Sequence, residues 1–309
     1  METVAFYSYK GGVGRSLLLA NAARFLATLG KGVVALDFDL EAPGLHYKLG
    51  REAGRDLKPS KGAGVVPYLL ASSNGGDSAP SLKEHLVEIS VPPGAQGWLR
   101  LMPAGPAPER KYWAALKTLG DRLRFDDPSG SGLMAVLDLQ ARLEEELEPD
   151  YLLVDSRTGV TEIGALATTI LADTVLCLFA ANLESLDGNV TVVEALKAAP
   201  RLKNQRPVRV VPVLSRVTLP PMAGEEFTAG VQRLLELGEG RKPDSGDEIE
   251  LFTLPHEHIL CGDEWLVSGE TSASLRMPLY RAHLELFQAL FSTSAERARQ
   301  AIERLPLFS

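Results

Sequence analysis

The amino-acid sequence predicts an α/β fold: a three-layer α/β/α sandwich around a mostly parallel central sheet. Three observations carry that expectation. The stretch VAFYSYKGGVGRSLLLANAARFL, Val4 to Leu26, reads as a strand, a glycine-rich loop and a helix. The run VVALDFD, Val33 to Asp39, is continuously apolar until it ends in carboxylates, as in a strand buried on both faces. Strand, helix and strand within about 35 residues make a parallel βαβ unit with a right-handed crossover. Later in the chain, apolar runs alternate with helical patterns again, as expected of a parallel sheet covered on both faces.

Each element has its own local reason. Thr3 to Tyr9 mixes β-branched and aromatic side chains, which favours a strand. From Arg15, the apolar residues Leu18, Ala22, Phe25, Leu26 and Leu29 fall at helical spacing, and Gly30 and Gly32 then punctuate the helix. The middle is looser. Arg51 to Gly64, Ser72 to Pro80 and Asp126 to Gly132 are polar and rich in Gly, Pro and Ser, and read as loops. Trp98 to Gly105 reads as a short strand running into a loop. Gly132 to Glu148 predicts an amphipathic helix, with Leu133, Val136, Leu137, Leu143 and Leu147 on or near one face and Pro149 past its end. Asp150 to Gly159 predicts a strand ending at Asp155. Thr174 to Asn182 and Val208 to Arg216 predict two more, preceded by helices over Ile163 to Leu171 and Asp187 to Ala198. Glu236 to Glu248 reads as a solvated loop and Ile249 to Pro255 as a last strand. Leu279 to Phe291 and Ser294 to Arg304 read as closing helices. No internal repeat is visible. The expectation is a single domain over 1–309 with a loop-rich insertion around 50–130. Its ligand should sit at the carboxyl ends of the strands.

Composition narrows the function classes. The chain has 309 residues, 45% hydrophobic and 23% charged, ordinary for a globule with a sizeable core. A net charge of −8 works against nucleic acid or an anionic membrane as a general partner, although a local basic patch can override it. Cys177 and Cys261 lie far apart, which offers neither paired metal-ligand spacing nor a disulfide framework. No secretion signal and no transmembrane run of about 18 apolar residues is read, so a cytoplasmic protein is expected.

The glycine-rich loop carries the chemistry. A loop from strand to helix can aim several backbone N–H groups at a phosphate, and the helix start adds partial positive charge. Gly11, Gly12 and Gly14 let the backbone curl closely round such a ligand. Ser16 offers a hydroxyl to Mg²⁺ at the helix start. The strict pattern G-x-x-x-x-G-K-[ST] is not met, because Arg15 stands at the lysine position and Lys10 opens the motif. A glycine-rich corner alone is also explained by tight packing. Asp37 and Asp39 at the end of one strand, with Asp155 at the end of another, add carboxylates of the kind that hold a Mg²⁺ shell. Each of them taken singly also fits a solvated strand end or a helix cap.

KGGVGRS, ALDFDLEAPGL and LLVDSRTG together resemble the MinD/ParA group of P-loop ATPases, the deviant Walker A type. The resemblance runs through nearly the whole chain in motif order, most strongly over 3–45 and 150–216, and points to a variant branch with arginine in the loop. It implies a P-loop NTPase fold, ATP and Mg²⁺ as cofactors, and a nucleotide-dependent homodimer. Lys10 then matches the signature lysine that reaches across the dimer to the partner's phosphates. Arg15 matches the ordinary loop lysine, and Gly11, Gly12, Val13, Gly14, Ser16 and Leu17 complete the phosphate loop. Ser16 matches the Mg²⁺ ligand. Asp39 matches the switch carboxylate that positions the attacking water, with Asp37 beside it, and Asp155 matches the Walker B aspartate. Ser215 and Arg216 fall where the group usually has an adenine-reading asparagine. Pro255 and His256 fall in the loop that flanks the base.

Three departures from the pattern matter. Arg15 keeps the charge of lysine but not its geometry, being a planar fork rather than a point charge. Either binding survives while the transition state is held less well, or the fork acts as a built-in arginine finger. Leu17 replaces a second hydroxyl residue and loses one hydrogen bond to the α-phosphate, worth about 0.5–1.5 kcal/mol. Arg157 replaces a small residue. It faces the γ-phosphate or a partner chain, or it pairs with Glu162 or Asp39 as a structural bridge.

Other signals carry less. His256, His258 and Cys261 offer metal-binding groups, but nothing nearby completes a tetrahedral zinc set. Cys177 lies in an apolar strand and reads as core. Basic residues at Arg201, Lys203, Arg206, Arg209 and Arg216 leave DNA open but not favoured. The C-terminal ERARQAIERLPLFS balances its arginines with Glu296 and Glu303, so stable membrane insertion is not expected. LPLF reads equally as a segment that docks on the partner protomer or another protein.

The leading expectation is therefore a dimerising Mg-ATP-dependent ATPase that acts as a slow switch, with an unidentified protein partner. The alternatives are a nucleotide-binding regulatory module with little or no hydrolysis, which Arg15 and Leu17 favour, and a ligase of the dethiobiotin or cobyric acid type, for which no acceptor pocket is visible.

Overall fold

The computed structural model describes residues 1–50, 62–73, 80–91, 95–106, 109–123, 131–159, 161–199, 207–218, 224–240, 250–258 and 278–291. Eight strands form one sheet. They are β1 (Glu2–Ser8), β2 (Gly32–Asp37), β3 (Val87–Ile89), β4 (Trp98–Met102), β5 (Tyr151–Asp155), β6 (Thr174–Ala180), β7 (Arg209–Val217) and β8 (Phe252–Pro255). Their spatial order is β3-β4-β2-β5-β1-β6-β7-β8, and every neighbouring pair is parallel except β3 with β4. Along β1, Val4 and Phe6 face one core cluster while Ala5 and Tyr7 face the other. This is the two-residue alternation of a strand with apolar layers on both sides, and it explains why these runs read as continuously apolar.

One face is covered by α1 (Arg15–Thr28), α2 (Leu45–Gly50) and α10 (Pro278–Leu290). Leu18, Leu26, Leu45, Leu286 and Phe287 are buried there. The other face carries α3 (Val65–Ser72), α5 (Arg110–Leu123), α6 (Ser131–Leu147), α8 (Leu183–Ala198) and α9 (Glu225–Leu237). Tyr68, Tyr112, Val136, Leu186 and Leu234 are buried there. A short α4 (Leu82–His85) precedes β3, and α7 (Glu162–Ala165) precedes a π turn over Leu166–Leu171. The three-layer sandwich expected from the sequence is thus the observed architecture.

Several details differ from the sequence reading. The stretch expected to be a loop-rich insertion holds, among the described residues, α3, α4, α5 and strands β3 and β4, which extend the sheet beside β2. In α6, Leu139 is buried with Val136 and Leu143, whereas Leu137 is only half-buried. The helix expected from Asp187 begins at Leu183, because the Asn182 side chain accepts a 2.9 Å hydrogen bond from the Ser185 N–H and caps it. The expected helix at Ser294 to Arg304, the basic residues Arg201, Lys203 and Arg206, and Cys261 lie outside the described residues.

Candidate functional site

The tips of β1, β2, β5, β6 and β7 all point to one end of the sheet, where the glycine loop leaves β1 and enters α1. Gly12 and Gly14 have φ of 77° and 86°, left-handed values that a side chain would strain. Gly14 stands immediately before α1, and its carbonyl accepts from Leu18 N–H at 2.9 Å. Among the described residues, a Cβ on Gly11 would meet nothing within 4 Å, so their packing does not explain the absence of a side chain there. The loop borders a cavity of about 550 Å³. Gly11, Gly12, Val13, Gly14, Arg15, Ser16 and Leu17 line it, as do Asp39, Ser215, Arg216, Pro255 and His256. An open cradle of backbone at a helix start, with a cavity of ligand size, fits a phosphate-bearing ligand.

The electrostatic centre is Arg15. Its side chain turns inward from α1 and is 7% exposed. Nε donates to Asp155 Oδ1 at 2.6 Å, Nη2 donates to Asp39 Oδ2 at 2.8 Å, and Nη1 reaches Ser8 Oγ at 3.4 Å. Burial works against the charged guanidinium, but Asp155 and Asp39 outweigh it and hold its pKa above the ordinary value. Burial pushes Asp39 up from the usual carboxylate range, and Arg15 pulls it back. Asp37 pairs in register with Asp155 across β2 and β5. It is fully buried, accepts from Leu45 N–H at 3.1 Å, and leaves Oδ1 without a hydrogen-bond partner among the described residues. Burial first, then the charge of Asp155, pushes its carboxyl well above the usual range.

This arrangement bears on the expected metal set. Ser16 lines the cavity, but the oxygens of Asp39 and Asp155 that face each other are joined by the Arg15 guanidinium. Asp155 is 1% exposed and does not line the cavity. Both carboxylates are hard oxygen donors suited to Mg²⁺. With Arg15 between them, however, the two gripped oxygens are not open to a divalent ion in this arrangement. Among the described residues, no group of three or more His, Cys, Asp or Glu side chains is placed to hold one.

Other expected site residues take roles that their spacing did not reveal. Lys10 lies outside the cavity lining and forms a 2.5 Å ion pair with Glu184 in the first turn of α8. Ser215 and Arg216, expected near a base, close on the loop itself. Ser215 Oγ donates to Val13 O at 2.7 Å, and Arg216 Nη1 donates to Gly12 O at 2.6 Å. Arg216 has φ of 56°, a left-handed conformation uncommon outside glycine. Arg157 forms an ion pair, as one of its readings had it, with Glu41 as the partner. Cys177 is fully buried in β6, and burial pushes its thiol up to about 12. Sequence reading missed Lys48 in α2 and His283 in α10, which also line the cavity. No motif marks either. Lys48 follows the ALDFDLEAPGL stretch closely, the one signal that could have found it.

Fold and site together define a class: the chain has the fold of the MinD/ParA P-loop NTPases. It is similar to the septum site-determining protein MinD of Pyrococcus horikoshii in complex with Mg-ADP, with 15% identity and a TM-score of 0.61, covering 96% of this chain and 98% of that one. It is also similar to a Cyanothece McdA variant in complex with ATP, with 16% identity and a TM-score of 0.58, covering 95% and 97%. In sequence it matches the cytosolic Fe-S cluster assembly factor cfd1 of Emericella nidulans, 28% identical over 168 residues. That match takes in 52% of this chain and spans 46% of the length of the relative. No family model matches the chain. Among the described residues, no helix is long and apolar enough to cross a membrane.

Proposed function

We propose that the chain is an ATP-binding switch of the ATPase class. It dimerises across the nucleotide, with Lys10 of one protomer reaching the phosphates held by the other. The observation that carries this reading is the open glycine cradle, Gly11 to Gly14, at the start of α1 beside a cavity of about 550 Å³. Loop amides and the helix start supply partial positive charge for phosphates. Lys48 and Arg216 add cationic side chains around the same cavity. The neighbours solved with Mg-ADP and with ATP agree with a nucleotide ligand. In this reading Pro255 and His256, which line the same cavity, flank the base. The protein acts in the cytoplasm with a protein partner, and DNA is not the favoured ligand.

Turnover is slow in this reading, because Asp39, the carboxylate that would position water, is tied to Arg15. The same contact supports the second reading, a nucleotide-binding regulatory module with little or no hydrolysis. Titration calorimetry with ATP and ADP tests the common part: no heat of association removes both readings. Phosphate release at high protein concentration separates them. In the first reading Lys10→Ala abolishes release and weakens binding much less. Release at the parent rate would refute the role of Lys10.

A further inference from the structure

Arg15, Asp39 and Asp155 form a buried triad in which one cation already answers two carboxylates. The third carboxylate beside them, Asp37, is fully buried and has an oxygen with no hydrogen-bond partner among the described residues. A pair of carboxylates offers the hard oxygen donors that a divalent ion takes. The guanidinium takes that place. Nε and Nη2 each grip a different carboxylate, so the planar fork spans both from two separate atoms, whereas lysine would offer its donors from one. Arg15 also lines the cavity, on the side where the glycine loop would hold phosphate.

We propose that Arg15 is a built-in counter-ion: it keeps divalent cations off Asp39 and Asp155 until a phosphate ligand draws the guanidinium into the cavity. Resting on the nucleotide reading above, this assigns Arg15 a part in deciding the order of binding. Nucleotide enters first and without metal, and the carboxylates become available afterwards. Two opposing charge demands enforce the order. If Arg15 left without a phosphate to receive it, its charge would lose two short charge-assisted hydrogen bonds, and if it stayed, a divalent ion would meet a half-neutralised pair with one oxygen of each carboxylate already taken.

The test uses Mn²⁺ as probe, followed by electron paramagnetic resonance of the free ion, on the full nucleotide-free chain. The parent protein should bind no Mn²⁺ at millimolar concentration. Arg15→Ala should bind about one equivalent, at least tenfold more tightly. Arg15→Lys, which keeps the charge and guards against a folding defect in the alanine variant, should also gain Mn²⁺ binding. In a second arm, the parent should bind ADP in EDTA with an affinity within about threefold of that in Mn²⁺. Equal Mn²⁺ binding by parent and both variants would overturn the proposal, as would loss of ADP binding in EDTA when it is present in Mn²⁺. The Mn²⁺ arm needs no nucleotide. Failure to bind ADP under any condition would therefore remove the nucleotide reading while leaving the counter-ion result readable.

Discussion

Ser215, near the end of β7, donates a 2.7 Å hydrogen bond to the carbonyl oxygen of Val13 in the glycine loop. The bond is buried and joins residues far apart in the chain. It ties the loop to the sheet. Ser215→Ala leaves the Val13 carbonyl without this donor in a buried place, which costs about 1–3 kcal/mol. The expected outcome is a lower urea midpoint and weaker ATP binding, both read on the same preparation. Unchanged nucleotide affinity would mean that the bond does not hold the loop in its binding shape.

Asp155 and Arg15 form a buried pair, with side chains 1% and 7% exposed. Removing one member leaves the other's charge buried with less compensation, a loss of about 3–5 kcal/mol for an isolated pair. Asp155→Ala should fall near the lower end of that range, because Asp39 still holds Nη2. Equilibrium urea denaturation checks it, and a change below about 1 kcal/mol would show that the pair is no stronger than a surface one.

Tyr9 lies against Gly188 of α8. A Cβ at Gly188 would come within 2.1 Å of the Tyr9 ring. Gly188→Ala should therefore displace Tyr9 and, with it, the adjoining Lys10. Overpacking of this kind costs about 1–3 kcal/mol. The double variant Gly188→Ala, Tyr9→Ala should recover much of that loss. A thermodynamic cycle on the four proteins measures the coupling, and strict additivity would contradict the contact.

Lys10 and Glu184 are paired within one protomer, and both are exposed. A lysine that acts across a dimer must leave that partner. Glu184→Ala should raise the fraction of dimer at a fixed ATP concentration by a few-fold, as followed by sedimentation velocity. A fall in dimer would mean that Glu184 helps to present Lys10 rather than restrain it.

His283 is buried in α10 with Nδ1 unpartnered among the described residues, and burial pushes its pKa down to about 3. An unfolded histidine takes up a proton below about pH 6.5. The folded one stays neutral until about pH 3. Between these values the unfolded state binds more protons. Stability is therefore full above pH 6.5 and declines as pH falls towards 3, by up to about 1.4 kcal/mol per unit. His46, whose pKa burial also lowers, adds in the same direction. Urea midpoints at pH 7.5 and 5.5 should differ in this sense, and His283→Leu should reduce the difference. Identical slopes in parent and variant would exclude His283 as a source.

The sequence by itself determined what depends on neighbours along the chain. Continuous apolar runs such as VVALDFD mark buried parallel strands, and Gly12 and Gly14 mark a turn that needs left-handed backbone. The spacing from loop to helix placed the glycine loop at the start of α1, and the carboxylates at strand ends marked the acidic groups near it. Tertiary structure alone decided which charge meets which. Arg15 had many acidic residues to choose from, and only the adjacency of β1, β2 and β5 brings Asp39 and Asp155 to its two edges. Likewise Ser215 and Arg216 turn to the loop because β7 ends beside it, a neighbourhood set by strand order. Local pattern reflects backbone preference and burial period, which are short-range. Ion pairing depends on distances in space between residues remote in sequence, and these exist only once the sheet has formed.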